Sequence, residues 1–482
     1  MDNLEDKITS EQLIDLVNNK KYQEIRDLFV KYPEIDIAEI CNEIDDVTII
    51  ITIFRVVKSE FTAELFHNLD QDHQEALIKA MTDKDINTLI GASANDDIVD
   101  FLEDMPANLV KRVLQQTTKD DRVVINKLLN YKENTAGSIM TTEYIELLDT
   151  TLIQDAISLI RQNGKDAETI YTIFCKDIKR NFLGTVDLDD LIFAQPTQTL
   201  NEIMNKDFVT VDVNTDQEEV AQIVKRYDLN AIAVLNDDHK LSGIITIDDV
   251  VDIIDKEATE DIAYQAGVSP LQEKYLETPV FKMAFKCIPW LMLLLVLGVF
   301  SSMVLSSFQS ALALVPILSA FIPAVMDAGG NAGSQTSSVI VRSLALNEFK
   351  PKDFFKVLWK EVRIAIITAC ILAIFAYCWT LIEQYTGLVS YHPGYTDATG
   401  VFVYYKDFDL FIAYSKISGL VGITLFTTII LSKVIGCILP LIAKAIHIDP
   451  ALMSGPFITT IVDVCSLLLY FFICVDIFKI VG

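Results

Sequence analysis

Thr459 and Asp463 stand four residues apart in the apolar run "DPALMSGPFITTIVDVCSLLLYF", a spacing that puts a hydroxyl and a carboxylate on one face of a helix. A carboxylate in hydrocarbon is costly and is kept mostly where it lines water or meets another polar group. A second apolar run, "FIPAVMDAGGNAGSQTSSVIVRSLAL" over 321–346, interrupts itself with Asp327, Gly329, Gly330, Asn331, Gly333, Ser334 and Gln335. Pro316 and Pro323 each remove a backbone donor, and the glycines weaken a helix while letting another backbone approach. This span is therefore expected to be broken, with carbonyl oxygen turned inward. The ligands on offer are all oxygen. Hard divalent cations take such ligands, and Mg2+, which sheds water reluctantly, suits one or two carboxylates touching a hydrated ion. Asp463 is the principal candidate; the rival reading pairs it with Lys433 or Lys416 to hold helices together. For the glycines the rival is tight helix packing.

The chain that must position these groups is divided by charge. Residues 1–280 carry 56 Asp and Glu against 26 Lys and Arg, whereas residues 281–482 carry 11 against 13. The first stretch is polar and strongly acidic, which makes nucleic acid and anionic lipid poor partners and cations natural ones. The N-terminus has no apolar core of the kind a secretory signal needs, so this stretch is expected in the cytosol. Six of the eight cysteines lie in the apolar stretch and read as small hydrophobes, and Cys41 and Cys175 make no framework.

A helix needs roughly 20 apolar residues to cross a hydrocarbon core of about 30 Å. Residues 287–305 and 364–382 meet this without a charge; the run from Ala311 does so only if the glycine stretch is included, and runs near 410–443 and 454–475 follow, for five spans. Ser454 is the expected cap of the last, with Pro456 in its first turn. Basic residues near the span ends (Lys282, Lys286, Arg342, Lys350, Lys352, Lys356, Lys360, Arg363) place those ends in the cytosol, with the 384–409 loop and the C-terminus outside.

Within the acidic stretch a pair of segments repeat each other: Ile139-Met140 matches Ile203-Met204, and Gly184 with Asp189-Asp190 matches Gly243 with Asp248-Asp249. Each copy reads β-α-β-β-α, the order of a tandem CBS pair. Residues before about 130 read as helices broken near Pro33, Gly91 and Pro106. "NDDIVDFLEDMP" sets Asp96 and Asp100 on one helical face, where like charges repel unless a cation sits between them. A further helix carries Asp249, Asp252, Glu257, Glu260 and Asp261 toward the first span.

Taken in this order, the elements closely resemble the MgtE magnesium channels and transporters over nearly the whole chain, through "LLNYKENTAGSIMT", the CBS pair, "GGNAGSQ" and "DPALMSGPFITTIVD". The resemblance implies a multidomain fold: an all-α N domain over 1–133, an α/β tandem CBS pair over 134–254, a connecting plug helix over 255–280 and a five-helix transmembrane domain over 281–482. It implies a homodimer in the plasma membrane, with Asp463 of both copies holding hydrated Mg2+ and Gly330, Asn331 and Thr459 lining the way. It also implies regulatory Mg2+ at Asp96, Asp100, Asp216, Glu218, Asp228, Asp249, Asp252, Glu257, Glu260, Asp261 and Asp449, all acidic here, so that cytosolic Mg2+ closes the import path. Relatives that bind ATP in the CBS pair use a strand aromatic and an Arg-Asp pair. The matching places here hold Ile170, Thr172 and Asp189-Asp190, with Tyr171 expected on the opposite strand face, so ATP is not carried over as a cofactor. Gly455 replaces an Asn that some relatives place before the proline.

Two other readings remain from the residues. One is a CBS-containing membrane sensor without flux; the other is a coupled carrier for Mg2+ or Co2+. No enzyme is expected: the five histidines are scattered, and neither H-E-x-x-H nor a G-x-x-x-x-G-K-[ST] loop is present.

Overall fold

The computed structural model describes residues 8–478 except 104, 166, 272–274, 276–277, 310–311, 313–316, 350, 387–393, 397–401, 405–406 and 454. The chain forms two compact units, Met1–Glu257 and Ala258–Gly482.

The first unit opens with short amphipathic helices running from α1 (Ser10–Asn18) to α10 (Lys119–Leu128), among them α5 (Ser59–His67), α7 (Asp83–Ile90), α8 (Asn95–Glu103) and α9 (Ala107–Gln116). Their ends follow local chemistry. Pro33 and Pro106 precede helices, Gly91 closes α7, and Thr9 with Gln12 and Thr82 with Asp85 form capping boxes. Each helix buries an apolar stripe, as α7 does with Ile86, Leu89 and Ile90. Arg112 on α9 ties neighbouring turns together by donating to the Ile78 and Met81 carbonyls and to Asp83.

The two repeats fold alike. In the first, β1 (Glu146–Leu148) runs parallel to β2 (Thr172–Lys176) across α11 (Ile153–Asn163), and β2 turns back antiparallel into β3 (Phe182–Asp187), followed by α12 (Leu188–Phe193). In the second, α13 (Leu200–Ile203) precedes β4 (Thr210–Asp212), α14 (Gln217–Tyr227), β5 (Ala231–Leu235), β6 (Leu241–Thr246) and α15 (Ile247–Gln265). Both sheets have the same order, and a register shift recurs at Cys175/Lys176 and at Val234/Leu235. The matched glycines explain how the copies join. A Cβ on Gly243 would stand 2.6 Å from the Thr141 carbonyl oxygen, and one on Gly184 would run into that of Asn205. Thr141 pairs with Ile244 and Asn205 with Thr185, so the residue after each repeat's Ile-Met pair crosses to the sheet of the other repeat.

In the second unit α15 ends at Gly267, whose φ of 71° is the left-handed conformation glycine reaches without strain. Long helices follow: α16 (Val280–Ser307), α17 (Leu318–Ala345), α18 (Phe354–Thr386), α19 (Asp407–Ala445) and α20 (Gly455–Phe478). A two-stranded pair, β7 (Gly394–Thr396) and β8 (Phe402–Tyr404), lies between α18 and α19. Four of these helices, α16 and α18 to α20, are long and apolar enough to cross a membrane. α17 has the length without the composition. Its core contacts are shared with α19 and α20, where Phe321, Val325, Leu420, Leu425, Leu467 and Phe471 pack together.

α17 corrects one expectation. The glycine stretch does not break the span: the helix is continuous from Leu318 to Ala345, with Pro323 in its second turn. Each glycine costs a helix roughly 1 kcal/mol, and here that cost is offset by packing. A Cβ on Gly333 would lie 3.0 Å from Ile458 and 3.2 Å from Val462, and one on Gly436 would meet the Gly333 carbonyl oxygen. Glycine therefore serves close helix contact rather than a free carbonyl.

Candidate functional site

α20 carries the carboxylate that the sequence singles out. Its first turn holds Gly455 and Pro456, while Ser454 lies outside the described residues. Thr459 donates its hydroxyl to the Gly455 carbonyl at 2.8 Å, which holds the side chain against its own helix. Gly330 of α17 packs directly on Thr459: an added Cβ would stand 2.6 Å from Thr459 Cγ2. Asp463 follows one turn later, its Oδ1 buried and without a hydrogen-bond partner among the described residues. The charge of Asp327 on α17 acts on it, although Asp327 was not among the expected site residues. Asn331 is exposed in the single chain. The structure thus brings Gly330, Thr459 and Asp463 together.

The rival pairing fails. Lys433 is buried, but its Nζ donates to Thr336 Oγ1 at 3.1 Å, and among the described residues neither Lys433 nor the exposed Lys416 forms an ion pair with Asp463. A buried carboxylate oxygen facing no cation and no donor is a group prepared for something other than helix packing.

The first unit contains a different arrangement. Asp96 of α8 is half-buried and accepts a 3.0 Å hydrogen bond from the Thr141 hydroxyl, and desolvation raises its pKa. Burial, followed by the charges of Asp96, Glu168, Glu64 and Asp100, pushes Asp97 up to about 8. Partial desolvation of its carboxylate, followed by the charges of Asp96 and Asp249 among other acids, raises Glu168 to about 7, although the residue reaches the surface. Asp249, mainly through burial and with the charges of Asp248 and Asp96 adding, stands at about 6 while accepting from Thr246 at 2.8 Å. His67 of α5 approaches Asp97 at 3.6 Å, but burial lowers it to about 4, so over the range between these two values the contact joins neutral groups rather than an ion pair.

Of the expected regulatory acids, Asp96, Asp100 and Asp249 join this group. The others serve local structure or stand apart. Asp216 caps α14 by accepting from the Glu218 amide at 3.0 Å, Glu218 accepts from Gln222, and Asp228 ends α14 at a positive φ. Glu257 accepts from Gln217 at 2.6 Å, and Asp449 caps the short turn before α20 through the Ala451 amide at 2.8 Å. Asp252, Glu260 and Asp261 lie along α15, which runs unbroken through the expected boundary at 254. Glu64, Asp97, Glu143, Glu168 and Asp248 were not anticipated. For Asp97 the adjacent Asp96 was a usable signal; Glu168 sits in a loop of the first repeat, and only the folded chain brings it to α8. Among the described residues, the group of three acids whose oxygens all lie within 4.8 Å of one another is instead the exposed Asp187, Asp189 and Asp190 at the start of α12.

A bundle of apolar helices with, among the described residues, one orphaned carboxylate, joined in sequence to an acidic α/β pair, defines a membrane protein built around cations. The comparisons agree: residues 322–473 match MgtE, described as divalent cation transporter, residues 32–134 the MgtE intracellular N domain and residues 200–256 the CBS domain. The chain is 31% identical to the magnesium transporter MgtE of Thermus thermophilus over 78% of each chain. It is 33% identical to that of Enterococcus faecalis over 72% of this chain and 70% of the relative. With that of Bacillus subtilis the identity is 26% over 95% of both. The chain belongs to the MgtE family.

Proposed function

We propose that the chain carries Mg2+ across the plasma membrane as a homodimer, with Asp463 contacting the hydrated ion and Gly330, Asn331 and Thr459 forming the adjoining wall. The observation that carries this reading is the buried Asp463 Oδ1 without a hydrogen-bond partner among the described residues, on a helix face that Gly330 approaches. Names of relatives support the choice of ion. An oxygen-only wall with a single carboxylate suits an ion that keeps most of its water.

On the same reading α17 also crosses the membrane, giving five spans with a cytosolic N-terminus and an outer C-terminus, and the domains divide at 133, 254 and 280. The flux is inward. The crowded carboxylates about Asp96, Asp97, Glu168 and Asp249 act as the sensor: hydrated Mg2+ that draws them together, with contacts through its water, favours the closed arrangement by its differential affinity, and its loss leaves mutual repulsion that opens it. The test is uptake by liposomes that carry the protein and enclose a Mg2+-sensitive dye. Mg2+ should enter faster than Ca2+, and Asp463→Ala should abolish entry while gel filtration still shows a folded protein. Normal uptake by Asp463→Ala would sink the assignment.

A further inference from the structure

The second unit holds a group of buried polar atoms that the transport reading does not use. Thr424, Thr428 and Ser432 repeat every four residues on α19, so their hydroxyls share one helix face. Ser466 of α20 faces the same region. All four are at most 1% exposed, and the hydroxyl oxygen of each lacks a hydrogen-bond partner among the described residues. A buried Ser or Thr in a helix normally donates to the carbonyl one turn back, as Thr459, Thr460 and Thr427 do here. These four do not.

Two of these hydroxyls, with the Thr428 methyl beside them, close on one point. A Cβ built on Gly329 would stand 2.8 Å from Ser466 Oγ, 3.2 Å from Ser432 Oγ and 2.7 Å from Thr428 Cγ2. Ser466 Oγ and Ser432 Oγ therefore stand no farther apart than the sum of these two distances, and one water with hydrogen bonds of up to about 3.0 Å to each spans about 6.0 Å. On α20 Asp463 stands one turn before Ser466 on the same face, and its Oδ1 is likewise buried and unpartnered.

We propose that each copy of the chain holds ordered water in this pocket, over Gly329 and among Thr428, Ser432 and Ser466, and that this water hydrogen-bonds the inner oxygen of Asp463. Water fits better than a bound metal ion. Each hydroxyl needs both a donor and an acceptor partner, and water supplies both, whereas a cation engages only lone pairs and leaves every O–H orphaned. The pocket is a positioning device, and that role rests on the reading of Asp463 as the ion-contacting group. A carboxylate whose inner oxygen is satisfied by water can present its outer oxygen to a hydrated ion without rotating inward.

The experiment uses the full chain carrying Ser432→Cys. X-ray radiolysis converts water held inside a protein into radicals that oxidise the thiol they touch, and peptide mass spectrometry reads the rate at each cysteine. Cys474 is equally buried but packs in the apolar cluster with Phe471 and Leu467, and so serves as the dry reference. The thiol introduced by Ser432→Cys should oxidise severalfold faster than Cys474, and adding Gly329→Ala, whose methyl fills the point of convergence, should remove the difference. Equal rates at the two thiols in the folded protein overturn the pocket. In liposomes Thr428→Val should slow Mg2+ uptake severalfold and Thr428→Ser should restore it; uptake unchanged by Thr428→Val overturns the positioning role. A chain without any Mg2+ uptake would instead defeat the transport reading, while the oxidation rates would still report on the water.

Discussion

The two units treat carboxylates in opposite ways. Between Met1 and Glu257 acids crowd one another: Asp96, Asp97, Glu168 and Asp249 all hold their protons more tightly than free carboxyls do. Between Ala258 and Gly482 Asp463 sits among hydroxyls and glycines, with Asp327 the acid whose charge reaches it. Dense charge binds a cation strongly enough to change a conformation. Sparse charge backed by neutral oxygen admits an ion and lets it go, which conduction requires. On the proposed function, the same ion is sensed in one unit and passed in the other.

The sharpest way to break this contrast is to remove one carboxylate from each side. Asp463→Asn should abolish Mg2+ uptake, whereas Asp249→Asn should leave uptake intact at low internal Mg2+ and raise it at high internal Mg2+, because one closing contact is lost. Dye-loaded liposomes prepared with and without internal Mg2+ measure both. Loss of uptake in both variants would mean that the two acids serve one task.

A somewhat smaller effect comes from pH. Asp249, Glu168 and Asp97, raised to about 6, 7 and 8, bind protons more tightly in the folded chain than when unfolded. The folded state therefore gains stability from them below the ordinary carboxyl range near pH 4, and that gain is lost as pH rises through 6 to 8. Without divalent ions, amide exchange protection of α8 in the full chain should fall from pH 5 to pH 8. Mg2+ should flatten the slope, since a bound cation replaces the protons. Protection that is independent of pH in chelator would remove the sensing half of the comparison.

Smaller again is Gly330→Ala. Its methyl would stand 2.6 Å from Thr459 Cγ2, so α17 must shift away from α20, with an expected loss of about 1–3 kcal/mol visible as a lower Tm. Uptake should fall with it, because Thr459 and Asp463 share the displaced face. A Tm at or above that of the unsubstituted chain would show that this contact is looser than the geometry requires.

The sequence made legible whatever depends on local pattern. The repeat was visible because each copy needs the same glycine where the backbone of the other copy passes, at Gly184 and Gly243. The helix breaks at Pro33, Gly91 and Pro106 were visible because proline and glycine act on their own residues. Thr459 and Asp463 could be paired because helical periodicity is local. The unbroken α17 was hidden, since whether three glycines open a helix or let it pack depends on Ile458, Val462 and Gly436, far away in the chain. Glu168 was hidden for the same reason: nothing beside it in sequence says that it faces α8.

The mildest substitution tests the contrast from the other direction. Lys433 is a charged group in the same bundle as Asp463, 8% exposed, with Thr336 Oγ1 at 3.1 Å as its hydrogen-bond partner. If it were the counter-ion of Asp463, the acid would be part of a structural pair, and the second unit would resemble the first in using charge to hold helices. Lys433→Met keeps the apolar stem and removes the ammonium. Because a buried charge held by one hydroxyl contributes little net stability, the change should be neutral or stabilising within about 1–2 kcal/mol, and Mg2+ uptake should persist. Thermal unfolding and the liposome assay on Lys433→Met, Asp463→Asn and the double variant decide the matter. If Lys433→Met alone stopped uptake and the double variant were more stable than either single one, the two charges would be coupled. Independent effects leave Asp463 without a protein counter-ion, as a group that takes its positive partner from the solution.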